Sequence, residues 1–485
     1  MPNFVQTNPT QIRLIPMGLD ELITEDHLAR RFKYLIEGSD LSRFESKYNN
    51  FENGRPAIPP AILLAIITYA YATGVQSSRV IEEKCKTDHA FMFLAQFLEP
   101  DHATIARFRA MNAEALENLF AQTVALGVDS ELISFEELAL DGTKIQSMGS
   151  RCQFVNTDKL ETKYEKCKLI IKEILAAPEE QEAAASKRAA RKLRKLENKL
   201  KNIAAARQRL GEYESKPKRV HLTEPDTRLM KDNGTYDAMY NAQAVVDGKT
   251  QMIVQQHVTQ NENDIKEGPI AFDALVSEFG SALAGTKVLA DVGYLTDEFI
   301  QKDKVGGIDL LISIGAQAAP GSSKPAVGRQ FMTYNAKADA YECKMGKTLR
   351  FTHIKNKKER NGSIGQYRVY QTSGCQDCQF KKECFLKRAR KWEKRTLIDK
   401  AIDPAVAERK QNYRNKMEAS ANRKAYKRRS AIVEPVFGLI TSHRNGDKFR
   451  VWGLKRVSGE WALHCIVHNM LKLMKYAQIG HRVAV

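Results

Sequence analysis

Hydrophobic and polar positions recur along this chain in two different periods. Up to about residue 125 the period is helical. "AILLAIITYAYA" (61–72) is apolar on every face, opened by Pro59 and Pro60 and closed by Gly74, and predicts a buried helix; a second helix follows from Ser77. "EPDHATIARFRAMNAEALENLFAQTVALG" then gives a turn, a helix start at Asp101 or Thr104, and apolar residues at helical spacing. Short helices joined by tight turns, one carrying Arg107 and Arg109, suit a helix-turn-helix-like DNA-binding module and equally a plain helical scaffold.

From residue 135 the period shortens to that of strands. "SFEELAL" runs into Asp141, and "YNAQAVVDGKTQMIVQQHV" (240–258) reads as two strands turning at Asp247-Gly248. A helix is expected from about 264 to 279, a strand at "TKVLAD" ending on Asp291, a helix from near Thr296, a buried strand at "IDLLISIG", and two long helices at about 405–443 and 456–477. This order, broken by two large insertions, predicts an α/β fold: a ribonuclease-H-like mixed sheet flanked by helices. The expected domains are a helical N-terminal DNA-binding domain (1–130), the first part of the core (131–154 and 221–314), a basic helical-hairpin insertion (155–220), a Cys-containing insertion (315–400), and the C-terminal helices of the core (401–485).

Within the first insertion Leu160, Tyr164, Cys167, Ile171 and Ile174 alternate spacings of four and three, as do Leu193, Leu196, Leu200 and Ile203 beyond Pro178. The second arm is also basic, with thirteen Lys or Arg against three Glu between Ser186 and Arg219. Such a run reads either as a solvated face or as a phosphate contact.

Charge sharpens the picture. With 76 Lys+Arg against 58 Asp+Glu the chain carries +18, which points to a polyanionic partner. "MPNFVQTNPT" has neither the basic start nor the apolar stretch of a secretory signal, and the longest apolar run is too short for a membrane span. Eight scattered cysteines in a chain of 485 residues do not read as a disulfide framework, so a reducing cytoplasm is the expected compartment.

Two strands end on a lone carboxylate, Asp141 and Asp291, each followed within two residues by Gly. A third acid, Glu434, stands at the margin of the apolar stripe Val433, Val436, Phe437 and Ile440 in "RRSAIVEPVFGLI". Each alone reads as a cap or turn residue; together, on these elements in this order, they suggest carboxylate ligands for Mg²⁺ or Mn²⁺ and phosphodiester chemistry.

The chain resembles the DDE transposases of bacterial insertion sequences, the branch with an InsH-like N-terminal domain. The resemblance rests on "GRPAIPPAILLAIITYAYATGVQSSRVIEEKCKTDHAFMFLA", "PDHATIARFR", "LALDGTKIQSMGS", "EPDTRLMKDNGTYDAMYNAQAVVD", "LADVGYLTDE", "RRSAIVEPVFGLI" and "GLKRVSGEWALHCIVHNMLKLM", in this order. It implies Asp141, Asp291 and Glu434 as a catalytic, metal-binding triad in a ribonuclease-H-like core. The implied activity is binding of the terminal inverted repeats of its own insertion sequence, with Mg²⁺-dependent strand cleavage and strand transfer into target DNA. A homodimer or larger assembly on DNA, no membrane, and a bacterial cytoplasmic location follow from the same resemblance. The alternatives are a catalytically inactive transposase-derived DNA-binding protein and a general nuclease of the same fold. Relatives often carry Lys seven residues after the catalytic Glu, where this chain has Thr441; Arg444 or Lys448 would have to substitute.

Nine Lys or Arg lie between Arg409 and Arg429, among them Arg423, Lys424, Lys427, Arg428 and Arg429. With Arg107, Arg109, Lys144, Arg444 and Lys448 they are the expected DNA contacts. In the second insertion Cys343, Cys375, Cys378 and Cys384 offer four thiols for a structural Zn²⁺ that would staple a poorly apolar module; reduced thiols are the alternative. His464 and His468, four apart on the last helix, are read as packing rather than as metal ligands; Trp461 is read as packing that helix or stacking on an unpaired base.

Overall fold

The structure, a computed structural model, describes residues 18–48, 56–176, 183–212, 219–232, 234–314, 332–335, 337–343, 345–358, 364–375, 378, 395–399 and 404–476. The chain divides into two compact units, Met1–Ala282 with Ser430–Val485, and Leu283–Arg429.

The first unit opens with helices α1 (Leu28–Glu37), α2 (Ser42–Glu45), α3 (Pro60–Ala72), α4 (Ser78–Thr87), α5 (His89–Ala95), α6 (His102–Met111) and α7 (Ala113–Asp129). Helix α3 starts with Pro60, whose fixed φ suits the first turn, and Ile62 through Tyr71 are all buried, as its unbroken apolar run requires. Helix α6 begins where Asp101 accepts the Thr104 backbone N–H at 2.6 Å.

Strand β1 (Glu137–Gln146) follows, then β2 (Phe154–Asn156), α8 (Leu160–Ala176), α9 (Ala183–Gly211), β3 (Arg219–His221), β4 (Arg228–Asp232), β5 (Thr235–Asp247), β6 (Ile253–Thr259) and α10 (Glu267–Phe279). β5 is the spine: β1, β4 and β6 all pair with it antiparallel, with Asp141 opposite Ala244. The β5–β6 turn falls at the expected Asp247-Gly248; the tighter β4–β5 turn passes through Gly234 at φ +85°, a conformation glycine adopts without strain.

Helices α8 and α9 form the expected hairpin with a small core of their own. Leu160, Cys167, Ile203, Ala206 and Leu210 are buried with Val155, Val220 and Leu222 of the β2/β3 base, and Tyr164, Leu196 and Leu200 pack on them. Its foot is tied down by Asp226, whose Oδ1 accepts from Arg209 Nε at 2.7 Å.

The second unit starts with β7 (Lys287–Ala290), α11 (Asp297–Gln301) and β8 (Asp309–Ile312), the two strands pairing parallel. Next comes an antiparallel sheet of β9 (Met332–Asn335), β10 (Ala340–Cys343), β11 (Thr348–Lys358), β12 (Ile364–Thr372) and β13 (Arg395–Asp399), each pairing with the next. The region expected to be poorly apolar therefore has a real core, with Tyr334, Tyr341 and Tyr370 buried among Met332, Leu349 and Leu397. The tyrosine hydroxyls make the difference: those of Tyr334 and Tyr370 both donate to Asp339 at 2.9 Å, so large rings can be buried with their polar tips satisfied.

The expected single helix over 405–443 is instead α12 (Pro404–Glu418), α13 (Ser420–Tyr426) and α14 (Arg428–Gly438), followed by a π-helical turn at Leu439–His443. Ala419 is extended (ψ 134°), which ends α12. α15 (Leu454–Tyr476) closes the fold, its first turn capped by Asp226 Oδ2, which accepts from the Leu454 N–H at 3.0 Å. Among the described residues no helix is long and apolar enough to cross a membrane.

Candidate active site

Asp141 is half-buried on β1, and its Oδ1 accepts the Gly142 backbone N–H at 3.0 Å. Glycine at 142 is required by crowding: a Cβ there would run into the Gln243 amide and come within 2.9 Å of Asn241 Oδ1. Gln243 Nε2 donates to Asn241 Oδ1 at 2.9 Å and to Asp264 Oδ1 at 2.8 Å, so a satisfied buried amide network backs the strand beside Asp141.

Glu434 is exposed on α14, a helix held to its unit by buried Ile432, Val433, Val436 and Phe437. Phe437 stacks on Trp461 of α15, with centroids 6.3 Å apart and planes at 15°, and Trp461 Nε1 donates to the Gln243 carbonyl at 3.0 Å. Gln243 is the register partner of Gly142, so one chain of contacts links the helix of Glu434 to the strand position next to Asp141. Pro435, directly after Glu434, has no N–H to give the Ala431 carbonyl; Gln251 Nε2 donates to it instead at 3.0 Å. A proline inside a helix signals that some other donor is needed, but nothing in the sequence near Gln251 identifies it as that donor.

In the second unit Asp291 sits half-buried just past β7, and its Oδ1 accepts from the Tyr426 hydroxyl at 3.3 Å. Tyr426 ends α13, which exposes Arg423 and Lys424, with Lys427 and Arg428 exposed after it and Arg429 half-buried. Within this unit, the basic run is thus delivered beside a candidate acid.

Three carboxylate ligands are the hard oxygen donors that Mg²⁺ or Mn²⁺ takes, and among the described residues no Lys or Arg forms an ion pair with Asp291 or Glu434. The donor chemistry fits the ion. Within neither unit do three described His, Cys, Asp or Glu side chains gather as a metal group.

The expected DNA contacts separate on burial. Arg107 is exposed, whereas Arg109 is only 4% exposed and donates to the Tyr71 hydroxyl at 2.8 Å and the Gln76 carbonyl at 2.9 Å, with Glu460 3.7 Å away. Arg109 is an interior ion-pair residue, not a DNA contact. Arg444 is corrected likewise: it is buried, bonds the Leu439 carbonyl and His468 Nδ1, and burial pushes its guanidinium down to about 10. Lys448 is half-exposed beside the end of β1, bridged to Gln146, and Lys144 Nζ donates to the Lys231 carbonyl at 2.7 Å. Thr441 turns its hydroxyl back to the Phe437 carbonyl at 2.8 Å.

Cys343 ends β10, Cys375 is buried after β12, and Cys378 is half-buried, while Cys384 lies outside the described residues. The proposed four-thiol zinc site has no support among the described residues. His464 and His468 are buried core residues, and Trp461 is fully buried, which excludes it as a base-stacking platform.

A family model described as "Transposase DDE domain" matches residues 342–474, a stretch that includes Glu434 but neither Asp141 nor Asp291. A second, described as "Transposase domain (DUF772)", matches residues 17–111 and takes in α1 to α6. No curated protein matches the chain. Both matches are to transposase domains and support a DDE-type transposase of an insertion element, and the mixed α/β fold with its mixed parallel and antiparallel sheet is consistent with a ribonuclease-H-like core.

Proposed function

We propose that the protein binds the terminal inverted repeats of its own insertion sequence and catalyses DNA strand cleavage and strand transfer, with Asp141, Asp291 and Glu434 as the metal-holding triad. The observation that carries this reading is Glu434: an exposed acid on a helix fixed by Gln251 and Phe437, within the stretch that matches the DDE domain. When bound, Mg²⁺ or Mn²⁺ would supply Lewis-acid stabilisation of the oxygens that gain charge in phosphodiester displacement. The chain's own residues do the rest. The carboxylates hold the ion, and Arg423, Lys424, Lys427, Arg428 and Arg429 bind the phosphates and bring the scissile bond to the acids. Arg107, Lys144 and Lys448 add contacts to the duplex.

Water cleaves the phosphodiester at the element's end and leaves a 3′ hydroxyl. That hydroxyl attacks a target phosphodiester, forms the new bond and releases a target 3′ hydroxyl. Pairing two ends calls for at least two protomers on DNA in the bacterial cytoplasm.

The test is cleavage of labelled DNA carrying the gene's own flanking ends, with Mg²⁺ or Mn²⁺, by the native protein and Asp141→Asn. Nicking at the ends by the native protein alone is expected. Binding without cutting by either protein would replace this reading with that of a catalytically inactive, transposase-derived DNA-binding protein.

A further inference from the structure

The hairpin insertion carries a charge pattern that the fold does not use. Between Arg191 and Gly211, α9 holds eight Lys or Arg and one acid, Glu197. Two of these cations have acid partners: Arg207 pairs with Glu161 at 2.9 Å, and Arg209 with Asp226 and Glu212. Arg191, Lys192, Arg194, Lys195, Lys199 and Lys201 are exposed and form no ion pair among the described residues. At 3.6 residues per turn Arg191, Arg194, Lys195 and Lys201 fall on the half of α9 opposite the seam of Leu196, Leu200 and Ile203, while Lys192 and Lys199 flank that seam.

A merely solvated helix is usually balanced by Glu–Lys pairs four apart. Here Arg191 and Lys195, and Lys195 and Lys199, are like charges at that spacing, and each such pair works against the helix. A polyanion laid along this face would remove that repulsion. Arg191 to Lys201 spans roughly 15 Å of helix, a length over which duplex DNA presents roughly nine phosphates. The face is also firmly mounted, since the hairpin has its own apolar core and its foot is bonded to Asp226.

We propose that the outward face of α9 is a sequence-independent clamp for the phosphates of duplex DNA, separate from the basic run of α13. The choice of DNA over another polyanion rests on the transposase reading; the existence of a polyanion site does not.

The test replaces Arg191, Arg194, Lys195 and Lys201 with Gln in the full chain, with Arg194→Gln/Lys201→Gln as a milder variant. Circular dichroism and the thermal midpoint check folding. Anisotropy of a fluorescent duplex lacking the element's ends, titrated across salt, is the readout. Removing four phosphate contacts should lower the slope of log K against log[salt] by about 4, and the double variant by about 2. An unchanged slope in a folded variant would overturn the proposal. So would loss of polyglutamate binding with duplex binding intact, which would assign the face to an acidic protein. Cutting of the flanking ends is measured in parallel on the native protein. A reduced slope with no cutting by the native protein retains the clamp and removes the transposase reading; cutting with an unchanged slope does the reverse.

Discussion

Gln251 reaches from the β5–β6 turn to donate its side-chain amide to the carbonyl of Ala431 at 3.0 Å, supplying the bond that Pro435 cannot make. The same residue accepts from Lys472 Nζ at its Oε1 and from His468 Nε2 at its carbonyl, at 3.0 and 2.7 Å, so it joins α14 to α15. Glu434 sits between the proline and this bond.

Gln251→Ala should therefore loosen α14, at a cost of about 1–2 kcal/mol in urea unfolding. Adding Pro435→Ala restores the missing N–H and should recover much of the loss. A double variant no more stable than the single would show that the amide does not serve the helix.

Glu434→Gln keeps the shape of the side chain and removes its charge. Cleavage of end-bearing DNA should fall below detection while binding stays within a few-fold of native. Equal loss of both would contradict a metal-ligand role. Asp291→Asn should behave in the same way.

Arg109→Met should act on stability and not on DNA. It strands the fully buried Glu460 and should cost about 3–5 kcal/mol, leaving the DNA affinity of the folded fraction unchanged. Arg107→Ala should give the converse: native stability and weaker duplex binding.

Burial lowers His464 and His468 to about 3, with nearby Arg444 adding to the effect. His468 fits a neutral ring, with Nε2 donating to the Gln251 carbonyl and Nδ1 accepting from Arg444. Above about pH 6.5 both folded and unfolded states hold these rings neutral, so they add no pH dependence. Between about 6.5 and 3 the unfolded chain takes up protons that the folded one refuses, so stability falls as pH falls, by about 1.4 kcal/mol per pH unit per histidine. Urea midpoints from pH 7.5 to 4.5 should show this, and His468→Gln should make the decline shallower.

The parts legible in the sequence were those where side-chain period and burial coincide. The spacing of Leu160, Cys167, Leu196, Leu200 and Ile203 marks the helical hairpin, and Asp247-Gly248 marks the β5–β6 turn. The Asn-Gly pair ahead of β5 is as clear a turn signal in the sequence, and Gly234 takes the positive φ that such a turn needs. The β9–β13 sheet was hidden because its core is built on tyrosines, which count as polar until Asp339 satisfies their hydroxyls. Arg107 and Arg109, two apart on one helix, point to nearly opposite sides, so only one can face a partner. Arg444 lay beyond such reasoning, because its burial depends on the π-helical turn before it.

Asp226 holds Arg209 at the foot of the hairpin with one oxygen and the first turn of α15 with the other. Asp226 is thus a carboxylate shared by the foot of the insertion and the start of the helix that carries Trp461, and Trp461 in turn stacks on Phe437 of the helix of Glu434. Replacing Asp226 would leave two separate elements each short of a bond, one on either side of the same residue.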